Sequence, residues 1–161
     1  MSPQPASSIH RVPGRATIAA AVAIVAALVL ASSATASNAT LRTSLRTWSQ
    51  AIGVDAHSVA LAAQNRNPRR MVSSAQRFRR DALRARAAIR AQRASTTAGR
   101  QAKRLAVVAF ADYALAGRLW AASGQARLHG QRATASRYAR AAAIRARAGN
   151  RFLVRAGRLL R

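Results

Sequence analysis

Apolar positions form one uninterrupted run near the start of the chain and fall into helical stripes after it. Ala16 to Ala31 is uncharged and largely aliphatic. From Leu41 the pattern changes: Leu41, Leu45, Trp48, Ile52 and Val59 recur in steps of four, three, four and seven, which keeps one side of an α-helix turned inward. This predicts a first helix over about 40–64. Asn65-Arg66-Asn67-Pro68 closes it, because proline fixes its own φ and disfavours helix at the residue before it. A second helix over about 69–95 has Met71, Ala75, Phe78, Ala82, Ala85 and Ile89 as its stripe, with arginine filling much of the remainder.

Ser95-Thr96-Thr97 supplies hydroxyl caps for a third helix over about 98–129. Leu105 to Ala122 is apolar nearly all round, which predicts a buried central helix. A second membrane span is the rival reading, and Asp112 in its middle with Arg118 near its end counts against it. Gly124 or Gly130 could end the helix in the left-handed conformation that glycine allows, and Gly130 is the expected cap. The last segment, about 131–160, alternates arginine with alanine around Tyr138, Ile144, Phe152, Leu153, Leu159 and Leu160, with Gly149-Asn150 as a place to kink or split it.

Composition sharpens the fold class. Half of the residues are hydrophobic but only 4% are aromatic, so alanine must supply most of the apolar surface and the core is thin. Alanine has the highest helix propensity and lets backbones approach closely, whereas strands favour β-branched and aromatic side chains. The expected architecture is all-α: a small bundle of three to four antiparallel helices over 37–161, preceded by an N-terminal signal peptide or membrane anchor over 1–36.

That first segment has Arg11 and Arg15, no acid, and then the apolar run. Small residues follow at Ser32-Ser33-Ala34-Thr35-Ala36, and Ala34 and Ala36 suit signal peptidase cleavage before Ser37. The alternative is an uncleaved anchor: the run is short of the roughly 20 residues that span a bilayer, but Ser32 to Ala36 could extend it. Arg42 and Arg46 follow closely, so positive charge flanks both ends and orientation stays open. An N-out anchor with the basic domain inside is possible, but the expected location is extracytoplasmic, secreted or anchored to the plasma membrane by this segment.

Charge is the extreme feature. The chain has 28 Lys+Arg against three acidic residues, Asp55, Asp81 and Asp112, for a formal net charge of +25. Lys103 is the only lysine. GC-rich coding favours arginine over lysine, but the same pressure does not remove acids, so the charge imbalance points to an anionic partner. Arg79, Arg86, Arg90 and Arg93 on the second helix, with Arg140, Arg147, Arg151 and Arg158 on the last, are the candidate anion-binding residues. The three aspartates lie on or beside the apolar stripes, where a carboxylate left alone costs several kcal/mol. They are expected to form structural ion pairs with arginine, and removal of Asp112 to cost about 3 kcal/mol or more.

Chemistry is sparse. With no cysteine, disulfides, thiolate metal sites and thiol catalysis are excluded. His57 follows Asp55 by two residues, which on a helix turns them to different sides, and His129 has no acid nearby in sequence. There is no glycine-rich phosphate loop and no HExxH. Hence no catalytic, cofactor or metal residue is assigned, no small-molecule substrate is evident, and the chain is not expected to be an enzyme.

Ala-Gly-Arg-Leu-Trp-Ala-Ala-Ser-Gly at 116–124 and Arg-Ala-Gly-Asn-Arg-Phe-Leu-Val-Arg-Ala-Gly-Arg-Leu-Leu at 147–160 resemble a texture of uncharacterised small exported Ala/Arg-rich helical proteins of high-GC Gram-positive bacteria. The resemblance covers roughly 100–160 and implies export and a helix bundle, with no activity and no site residue to carry over. The expected function is electrostatic attachment to an anionic membrane or cell-wall surface. The alternative is non-specific nucleic-acid binding, for which charge is ample but no recognised reading element is present. Alanine-rich helix faces would also allow a homo-oligomer.

Overall fold

The computed structural model describes residues 36 to 161, and the expected signal or anchor over 1–36 lies almost wholly outside them. All regular structure among the described residues is helical: α1 (Ala36–Gln64), α2 (Pro68–Ala91), α3 (Thr97–Leu128) and α4 (Arg132–Arg158). Local chemistry sets the boundaries. Asn67 caps α2 by accepting a hydrogen bond from the Arg70 amide at 2.9 Å, with Pro68 in the first turn, where its missing N–H costs nothing. Thr96 caps α3 by accepting from the Gly99 amide at 3.0 Å, and Gly130 ends the α3–α4 connection with φ +72°.

Two boundaries differ from the sequence pattern. Helix α1 starts at Ala36, ahead of its first apolar stripe residue, because Asn38 anchors that turn to the α2–α3 loop: its Nδ2 donates to Thr96 Oγ1 at 2.7 Å and its Oδ1 accepts from the Ser95 amide at 3.3 Å. The same loop ends α2 at Ala91 instead of about 95, with the Gln92 carbonyl accepting from Lys103 Nζ.

The helices pack in chain order. Helix α3 lies between α2 and α4 with close contact to both, α1 packs on α2, and α1 and α4 scarcely meet. Small residues permit the close approach: a Cβ at Gly117 would come within 2.9 Å of Arg79 Cβ, and one at Gly149 within 2.9 Å of the Ala109 carbonyl. So Gly149 neither kinks nor splits α4; it lets the backbone of α4 lie against α3. Ser123, fully buried, adds a hydrogen bond from Oγ to the Ala135 carbonyl at 2.8 Å. Phe78 fills the centre, edge-on to Tyr113 at 5.9 Å and to Trp120 at 5.3 Å between ring centroids. Burial pushes the Tyr113 phenol above its ordinary range.

The expected central helix is α3, but it is buried only in part. Only 39% of the most apolar 18-residue stretch of α3 is buried, and Val108 is 45% exposed. Its close neighbours are α2 and α4, and α1 touches it only lightly, so part of its apolar surface stays open.

Candidate anion-binding faces and an acid pair

The candidate arginines divide between two separated surfaces. On α2, Arg79 lays its stem against α3 at Gly117 and keeps its side chain exposed, the usual compromise of a long cationic residue. Arg86, two turns on, is half-buried with no partner for its Nε, and Arg90 is exposed; Arg93, expected on this helix, lies past its end at Ala91 in the α2–α3 connection, where it is also exposed. On α4, Arg140, Arg147, Arg151 and Arg158 are all exposed and recur in steps of seven, four and seven. That spacing puts them on one side of the helix, turned from the buried residues Ala142, Ala146, Gly149 and Leu153. Helix α3 stands between the two sets, so the eight residues do not converge on one ligand. What they offer is two fields of solvated guanidinium groups, suited to an extended polyanion more than to a small anion.

Two of the three aspartates have the expected arginine partners and the third does not. Asp112 of α3 meets Arg145 of α4 at 3.4 Å, with 14% of the aspartate side chain and 52% of the arginine side chain exposed. Asp81 meets Arg84 at 3.1 Å, one turn along its own helix. Asp55 departs from the expectation. It is 6% exposed on α1, has no ion pair among the described residues, and leaves Oδ2 without a partner. Its carboxyl instead faces Asp81 across the α1–α2 interface within hydrogen-bond reach. Burial, then the hydrogen bond and like charge of Asp81, raise its pKa from 3.8 to about 6, against the opposing attraction of Arg77 and Arg80. Asp55 therefore takes up a proton as the surrounding solution turns mildly acidic, earlier than an exposed carboxylate would.

The sequence held a signal for this pair. Both residues lie on or beside an inward stripe at comparable distances either side of the Asn65–Asn67 turn, so folding α1 back on α2 brings them to within about one helical turn. In a chain with this excess of arginine, charge alone names arginine as the partner instead.

Among the described residues no group of three His, Cys, Asp or Glu is placed to hold a metal ion. His57 and His129 are both exposed. No family model matches the chain, and neither a curated protein nor a solved structure matches it.

Proposed function

We propose that this is a non-enzymatic, exported or membrane-tethered helical protein that attaches electrostatically to anionic components of the cell envelope. The observation that carries the reading is the charge left unspent: against a formal net charge of +25, the ion pairs among the described residues are Asp81–Arg84 and Asp112–Arg145. Exposed arginines on α2 and α4 offer charge-assisted hydrogen bonds to phosphate or carboxylate groups, each worth about 1 kcal/mol near an anionic membrane. The apolar run at 16–31, followed by small residues, supports the choice of the envelope over the nucleoid.

Fractionation of the native host, with N-terminal sequencing of the recovered chain, tests the location. A chain beginning at Ser37 outside the membrane fits secretion, and an intact chain in the membrane fraction fits tethering. An intact chain in the cytosol, bound to DNA, would refute the reading. Binding to DNA in the test tube would not decide it, because a chain of this charge attaches to any polyanion at low salt.

A further inference from the structure

Helix α3 leaves one side uncovered, and that side is continuous with a side of α4. The join is fixed by the Asp112–Arg145 contact at 3.4 Å. Leu105, Val108, Leu115 and Leu119 stand one or two turns either side of Asp112 on the same side of α3. Tyr138 and Phe152 stand two turns either side of Arg145 on α4. Val108 is 45% and Tyr138 39% exposed, Leu115 is half-buried, and Leu105, Leu119 and Phe152 are half-buried against the edge of the core. Arg104 and Arg118, both exposed, accompany this stripe along α3.

From this we infer that the α3–α4 face is a membrane-interface surface that lies on an anionic phospholipid bilayer, its aliphatic stripe entering the headgroup–acyl boundary and its arginines engaging lipid phosphates. This deepens the envelope-binding reading and rests on it. The occupant follows from charge. A second copy of a chain with net charge +25 would bring like fields together, whereas an anionic leaflet complements the arginines and also accepts the exposed aliphatic groups. The acid on the face is already neutralised by Arg145, so it does not oppose approach.

The chain has no cysteine, so one introduced cysteine can be labelled uniquely. The full chain is prepared as Val108→Cys and, separately, as Val54→Cys, each labelled with an environment-sensitive fluorophore. Val54 is 68% exposed on α1 and serves as the position off the face. On phosphatidylglycerol vesicles containing nitroxide-bearing phospholipids, the label at 108 is expected to shift to the blue and be quenched, while the label at 54 is not. Arg104→Gln combined with Arg118→Gln should weaken that response about tenfold or more. If the protein co-sediments with these vesicles but the label at 108 stays in water, the face is wrong while the envelope reading survives. Binding to anionic wall polymer with none to vesicles likewise overturns the face and spares the envelope reading. No binding to either polyanion sinks both. A blue shift at 108 before vesicles are added also overturns the inference: independence from protein concentration would assign the face to residues 16–31, and concentration dependence to a second copy.

Discussion

Replacing Asp55 with asparagine should make the protein more stable at neutral pH and remove part of its pH dependence. In the folded chain burial and Asp81 hold the Asp55 carboxyl at about 6 against 3.8 for the exposed group, so the native state binds its proton more tightly than the unfolded state does. Stability from that proton is present in full at acidic pH and falls as pH rises from about 4 through about 6. A shift of roughly two units corresponds to a ceiling of about 3 kcal/mol at neutral pH. Asp81 is partly exposed, and solvent screening lowers the expectation to about 1–2 kcal/mol. Asparagine keeps the shape, carries no charge, and can donate from Nδ2 to the Asp81 carboxylate. Thermal unfolding followed by far-UV circular dichroism at pH 4 and pH 7 measures the effect. The variant should match the parent at pH 4 and melt about 5 °C higher at pH 7. A stability difference that does not change with pH, or a variant that melts lower at pH 7, would refute the acid-pair geometry.

Other substitutions test the packing. Gly149→Ala should destabilise by about 1–2 kcal/mol in urea unfolding despite alanine's better helix propensity, because its Cβ would meet the Ala109 carbonyl at 2.9 Å. Arg66 sits in the α1–α2 turn with φ 50°, a conformation that strains side chains with a Cβ, so Arg66→Gly should raise stability by about 0.5–1 kcal/mol by the same assay. Asp112→Ala should cost less than about 1 kcal/mol, since its partner is half exposed to water, and a loss near 3 kcal/mol would restore the expectation of a buried pair. The melting temperature of the parent should rise as salt increases from low ionic strength, because screening relieves repulsion among its unpaired arginines; a melting temperature that falls with salt would show that attractive pairs dominate.

The helices were legible because local chemistry and periodicity agree at each one. Asn67 with Pro68, Thr96 and Gly130 are strong punctuation, and the α2 stripe from Met71 to Ile89 is buried throughout. What was not legible depends on how many neighbours a helix acquires. A sequence that is apolar all round says that α3 needs cover and does not say that α1 will stay on α2 and leave a side open. Gly149 shows the same limit, since a glycine read as a possible break is a contact point once α3 lies against it. For Asp55 the missing knowledge was interhelix register: its position on the stripe was clear, but the identity of the group facing it was not.

Alanine and arginine account together for the uncovered face. Alanine and glycine at the α3 contacts bring α2 and α4 close to it and leave little volume for large side chains between them. The larger apolar residues of α1, among them Leu41, Leu45, Ile52 and Val59, are used up against α2 and the nearby core. Helix α1 has little contact with α4, and the one acid it carries, Asp55, is buried against Asp81 and offers no counter-charge to the α4 arginines. Among the described residues, no element therefore covers this side of α3. A surface of exposed aliphatic groups bordered by unpaired guanidinium groups is what remains, and its natural complement is a medium that is apolar inside and anionic at its boundary.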